Sequence, residues 1–192
     1  MSNLAGYPFH RGILAQARRP PGLSLAGILA SPPISEAPVS TVLAVPELTD
    51  PENLGSSFRN AAALGCSALL LGPSGPDPLS RRVLRVSMGA SLSLPWTRLG
   101  SPRDLHALEA GGFAIAACVL DPEAADLRTW VRPDRLALVL GNEAFGLSRP
   151  WLEACGARLT LPMRGGVDSL NVATAAALFL FSLSAGHPVH LP

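Results

Sequence analysis

Lysine is absent from this chain: Lys and Arg together number 15, all of them arginine, against 14 carboxylates, so the formal net charge is only +1. That balance excludes a uniformly basic surface. Any nucleic-acid contact must come from local arginine clusters, whose planar guanidinium groups suit bidentate phosphate contacts. A genome biased toward arginine codons produces the same composition and is the simpler origin of it. Cysteine is scarce as well. Cys66, Cys118 and Cys155 stand far apart with no CxxC and no neighbouring histidine pair, which argues against a zinc site and against a disulfide framework. Long apolar runs are missing: the longest, residues 172–183, is too short for a bilayer and carries Thr174 and Ser182, and no charged-then-apolar leader opens the chain. A soluble, cytoplasmic protein without a membrane partner is expected. Neither GxxxxGK[ST] nor GxGxxG occurs, so a plain ATP- or NAD-binding protein has no fingerprint here.

What is present is apolar. Hydrophobic residues make up 48% of 192 residues and charged ones 15%, with a mean hydropathy of +0.31. The length suits one α/β domain with a sizeable core plus an extra N-terminal segment. The composition fits an apolar face used for self-association, or equally a set of alanine-rich core helices.

Residues 1–38 are rich in proline and carry Arg11, Arg18 and Arg19. They read as an arm or linker, with short strands at 12–16 and 25–29. From residue 39 to 192 the pattern is regular. Strands are predicted at 41–45, 67–71, just before Pro95, 113–120, 136–140 and 158–161. Helices are predicted at 53–64, 78–88, 102–110 and from Ser169 onward. Strands alternating with helices indicate an α/β fold with a mostly parallel sheet covered on both faces.

In such sheets ligands sit beyond the carboxyl ends of strands, where three polar clusters lie. Asn53-x-Gly55-x-x-x-Arg59 combines a residue near a helix start, a glycine permitting close approach and a fixed cation suited to phosphate; a surface helix arginine is the plainer reading. Gly141-Asn142-Glu143-x-x-Gly146 is a glycine turn with an embedded carboxamide and carboxylate, by itself no more than a turn. The third cluster follows the strand 158–161: Pro162 ends it, a glycine loop spans 164–168, and Ser169 as N-cap with Asn171 opens an alanine-rich helix. A ligand site is expected where these meet.

Taken in order, Asn-Leu-Gly-Ser-Ser-Phe-Arg-Asn (53–60), Val-Leu-Gly-Asn-Glu-Ala-Phe-Gly-Leu-Ser (139–148) and Leu-Pro-Met-x-Gly-x-x-x-Ser-Leu-Asn-Val-Ala (161–173) resemble the three motifs of the SpoU-type, TrmH-like RNA 2′-O-ribose methyltransferases of the SPOUT superfamily. The resemblance covers about residues 40–186. It implies a deep C-terminal trefoil knot, a rare exception to the rule against knots. S-adenosylmethionine would be held by Leu140, Gly141, Asn142, Gly146, Leu161, Met163, Leu170 and Asn171, with no metal. The chemistry would fall to Arg59, Glu143, Ser169, Asn171 and Asn53. A homodimer is implied, with the site completed across its interface and the alanine-rich helix as the dimer face. Ribosomal or transfer RNA, not DNA, is the expected partner, with Arg81, Arg82 and Arg85 joining Arg59 on an RNA face; a solvated helix explains them equally. His10, His106, His187 and His190 are peripheral to the motifs. Ala173 stands where many relatives have serine, and residues 9–20 resemble the link that follows an auxiliary RNA-binding domain. The rival expectation is a catalytically silent, RNA-binding or dimer-forming knot module.

Overall fold

The computed structural model describes residues 17–142, 144–163 and 169–184. Two short helices, α1 (Leu25–Leu29) and α2 (Pro32–Ser35), precede β1 (Ser40–Val45) and α3 (Pro51–Ala63). β2 (Ala68–Leu71), α4 (Arg81–Val86), α5 (Ala90–Ser93) and β3 (Trp96–Arg98) follow. A 3₁₀ turn at Pro102–Asp104 leads into α6 (Leu105–Ala110), then β4 (Ala114–Cys118), β5 (Ala125–Asp126) and β6 (Arg135–Leu140). The chain continues through α7 (Arg149–Glu153), β7 (Ala157–Thr160) and α8 (Val172–Ser184).

The seven strands among the described residues form one sheet in the order β3-β2-β1-β6-β4-β7-β5, and the strand pairings are parallel. Period-two alternation with both faces covered explains why the central strands β1, β2, β4 and β6 read as largely apolar runs. Leu43, Val45, Leu69, Leu71, Leu136 and Leu138 point to one face, against Leu54 and Phe58 of α3 and Ala176 and Phe179 of α8. Val42, Ala44, Ala68, Leu70, Ala137 and Val139 point to the other, against Ile28, Ile34, Leu105, Leu108 and Trp151. In β1, β2, β4 and β6 both faces have a partner layer, so alternation of polar and apolar residues is not needed there. No helix among the described residues is long and apolar enough to cross a membrane.

Several predicted elements change. Residues 25–29 form a helix, not a strand: Ser24 caps it by accepting a hydrogen bond from Gly27 N at 3.1 Å, and Ile28 is buried against the sheet. The other strand expected in the arm, at 12–16, lies outside the described residues. The helix expected over 78–88 is confined to Arg81–Val86; Met88 and Gly89 take positive φ angles of 53° and 88° and end it before α5. The strand expected before Pro95 begins after it, at Trp96, because residues 90–93 are helical and the proline marks the entry instead of the exit. β5 and α7 carry too little periodicity to stand out in the sequence.

Candidate active site

α3 begins where its chemistry dictates. The Asp50 carboxylate accepts from Glu52 N at 2.7 Å, Pro51 fills the first helical position, and Leu54, Phe58 and Ala61 recur at the spacing of one helical face. Asn53 is buried at 9% exposure, and seven residues later Asn60 points the same way. Both reach the start of α8. Asn171 Nδ2 donates to Asn53 Oδ1 at 2.8 Å, and Asn60 Nδ2 donates to the carbonyl of Ala173 at 2.8 Å. The Asn171 Oδ1 in turn accepts from Ala173 N at 3.0 Å and Thr174 N at 3.2 Å. Asn171, not Ser169, is therefore the cap of α8. A carboxamide serves better than a hydroxyl at this position because it caps with its oxygen while its nitrogen ties α8 to α3.

The turn after β6 is tied just as closely. Asn142 N donates to Gly146 O at 2.8 Å and Gly146 N returns a bond to Asn142 O at 2.9 Å. The Asn142 side chain accepts from Ala144 N at 2.8 Å and donates to the Glu47 carbonyl at 3.2 Å. The Glu47 carboxylate accepts from Ser148 N at 2.8 Å, joining the loop after β1 to the start of α7. A Cβ on Gly141 would lie 2.1 Å from the Gly146 carbonyl carbon and 2.2 Å from Leu147 N, so the turn closes only over glycine.

These two fastened segments, with the loop after β4, frame a cleft of about 650 Å³. It opens beyond the carboxyl ends of β4, β6 and β7, as the parallel sheet requires. Of the residues expected to hold a cofactor, Leu140, Gly141, Asn142, Gly146, Leu161, Met163 and Leu170 line it, as does Ser169. Asn171 does not line it but fixes the helix whose Val172, Ala175 and Phe179 form its apolar wall. Size and lining fit a nucleoside-sized group: flat apolar surfaces for a base, with main-chain groups at the turns. Glu143 and the glycine loop 164–168 lie outside the described residues, as do His10, His187 and His190. Arg59 is exposed on α3 and outside the cleft. Gly55 does not line the cleft; a Cβ there would lie 2.7 Å from Val86 Cβ, so its smallness serves the contact of α3 with α4 and not a ligand. Arg81, Arg82 and Arg85 are exposed on α4, and Arg82 pairs with Glu52 of α3. His106 is exposed and paired with Glu109.

Sequence reasoning missed several cleft residues. Asp121 and Arg158 sit at its edge, and Phe145 stands 92% exposed at its rim. Cys118 lines it too, but burial holds that thiol well above its ordinary value of 9.0, so it stays protonated and is a poor nucleophile. The only available signal was position: each follows, or lies within, a strand end.

The SpoU rRNA Methylase family model matches residues 40–181. The chain belongs to this family. It is 39% identical, over 98% of its length, to an uncharacterized tRNA/rRNA methyltransferase of Mycobacterium bovis, and covers 65% of that protein. It is 31% identical to the 23S rRNA (guanosine(2553)-2′-O)-methyltransferase RlmP of Bacillus subtilis, over 83% of this chain and 64% of that one. The SpoU methyltransferase AviRb from Streptomyces viridochromogenes, solved in complex with the cofactor AdoMet, superposes with a TM-score of 0.72 at 29% identity, covering 85% of this chain and 61% of its own. The chain thus spans just under two thirds of the length of these curated relatives.

Proposed function

We propose that this SpoU-family chain is the catalytic domain of an S-adenosylmethionine-dependent RNA 2′-O-ribose methyltransferase acting on ribosomal or transfer RNA as a homodimer. The observation that carries the reading is the cleft, which gathers residues from the second and third motifs at one strand-end position, beside an Asn53–Asn171 bond that links in the first. Bound there, S-adenosylmethionine supplies an already activated methyl group. Leu140, Gly141, Asn142, Gly146, Leu161, Met163 and Leu170 would hold it. The knot implied by the resemblance, with the chain beyond Leu161 passing through the 141–146 turn, belongs to this reading.

The remaining work is to place a ribose hydroxyl in line and to ease loss of its proton. Arg59 does not act as the base, because a guanidinium stays protonated in proteins. Its role is to grip the neighbouring phosphate and stabilise the developing alkoxide, a contribution of roughly 10²–10³ in rate. Ser169 and Asn171 orient the nucleophile and the methionine end, Asn53 holds Asn171, and Glu143 steadies the turn and the arginine. Because Arg59 stands outside its own cleft, the reading uses the Arg59 of a second copy. The exposed Leu178 and Phe181 of α8 support that helix as the dimer face. Arg59 and Arg85, with Arg81 and Arg82 beside them, form the RNA-facing side.

Calorimetry with S-adenosylmethionine, followed by incubation with total RNA from a strain lacking the protein and mapping of 2′-O-methyl sites, tests this. Absence of binding at millimolar ligand would sink the enzyme reading. Tight binding with no new methyl site on any RNA would favour a silent knot module instead.

A further inference from the structure

Among the described residues lining the cleft, the charged side chains are Asp121 and Arg158. Asp121 follows β4, and its main chain starts a tight turn, with Ala124 N donating to Asp121 O at 3.1 Å. One carboxylate oxygen is committed to that turn: Oδ1 accepts from Glu123 N at 2.9 Å. The other, Oδ2, stands 3.8 Å from a guanidinium nitrogen of Arg158 on β7, inside ion-pair range and beyond hydrogen-bond range. The side chain keeps 33% of its surface exposed, on the cleft wall. The Asn142 carboxamide, by contrast, is used at both ends, accepting from Ala144 N and donating to the Glu47 carbonyl.

An ionised carboxylate only accepts, and one with a free oxygen beside a fixed cation suits a ligand that presents adjacent donors. Sheet order says which end of the ligand that is. Asn53 and Asn171 stand on the β1 side of β6, whereas Asp121 follows β4 toward the β7–β5 edge. A donor whose methionine end lies toward the start of α8, at Ser169 and Val172, and whose base lies on Leu140, Leu161 and Phe179 turns its ribose toward that edge. We infer that Asp121 reads the ribose diol of the adenosyl donor, with Arg158 keeping its carboxylate aimed into the cleft. The inference rests on the reading of the cleft as a site for S-adenosylmethionine.

The test is calorimetric, on the full chain, with S-adenosylhomocysteine and its 2′-deoxy and 3′-deoxy analogues. Asp121→Asn keeps an oxygen for Glu123 N while removing the charge, so thermal stability should hold. Its affinity for S-adenosylhomocysteine should fall about 10- to 100-fold, the worth of hydrogen bonds to a charged group. The unaltered chain should lose a comparable factor on one or both deoxy analogues, and Asp121→Asn should lose little more on them. Equal affinity of the variant and the unaltered chain overturns the inference, as do variant and deoxy losses that simply add. Equal binding of all three ligands by the unaltered chain also overturns it, whatever the fate of the variant. Failure of the unaltered chain to bind S-adenosylhomocysteine is a separate result and refutes the cofactor reading itself.

Discussion

Gly141→Ala is the sharpest test of the cleft. The added methyl carbon would meet Gly146 C at 2.1 Å, Leu147 N at 2.2 Å and Gly146 O at 2.4 Å, all backbone atoms that cannot rotate away. The turn must open, and opening breaks the reciprocal Asn142–Gly146 hydrogen bonds of 2.8 and 2.9 Å. At about 1 kcal/mol each, with some strain left over, the loss is about 2–3 kcal/mol. For a chain of this size that lowers the melting temperature by about 4–12 °C. Affinity for S-adenosylhomocysteine should fall at least about tenfold, because the cofactor wall moves with the turn. Gly146→Ala provides the contrast. Gly146 has φ of 67° but nothing within 4 Å of an added Cβ, so only the left-handed backbone cost of about 1 kcal/mol applies. Scanning calorimetry and ligand titration on both variants check the order. A Gly141→Ala protein as stable and as tight-binding as Gly146→Ala would refute the argument from close contact.

Arg59→Ala should abolish methyl transfer, with a loss of roughly 10²–10³ or more, while leaving S-adenosylhomocysteine binding intact; retained turnover in a radiolabelled methyl-transfer assay would show the assigned role to be wrong. Asn171→Ala removes both the cap of α8 and the bond to Asn53, and should cost about 2 kcal/mol in a denaturant titration. Asn171→Asp keeps the cap oxygen and should cost less than the alanine variant; the reverse order would mean that the cap is not what stabilises this junction. Burial holds the Cys66 thiol at about 12 against an ordinary value of 9.0. Folding raises this pKa, so its contribution to stability is complete below about pH 9 and is lost as the pH rises toward 12. Denaturation midpoints taken between about pH 8 and about pH 11 should therefore fall more steeply in the unaltered chain than in Cys66→Ala, and parallel slopes would contradict this.

The central strands were legible because a parallel sheet buried on both faces needs largely apolar runs, and β1, β2, β4 and β6 are such runs. Helix α3 was legible from its phased Leu54, Phe58 and Ala61 and from Gly65 beyond its end. The arm was misread because residues 25–36 are too short to display a period; they are helical through Ser24 and through burial of Ile28 and Ile34 against a sheet distant in sequence. The cleft divides in the same way. Leu140, Gly141, Gly146, Leu161 and Leu170 lie within two local motifs, the second and the third, and could be read from them. Asp121, Arg158 and Glu47 come together with them only through strand order. No local pattern separates an acid after β4 from any other surface acid until β7 is known to lie beside β4.

The same strand order bears on why Asn171 is a poor site to probe by deletion alone. Its oxygen caps α8, its nitrogen holds Asn53, and its backbone carbonyl accepts from Ala175 N at 2.8 Å. α8 in turn presents Val172, Ala175 and Phe179 to the cleft. A change at Asn171 therefore shifts the apolar wall as well as the polar junction, and lost turnover by itself cannot separate chemistry from position. Asn60 offers the separation. Its bond to the Ala173 carbonyl fastens the same helix start without touching the cleft. Whatever fraction of an Asn171 defect Asn60→Ala reproduces belongs to the anchoring of α8, and the remainder belongs to Asn171 itself.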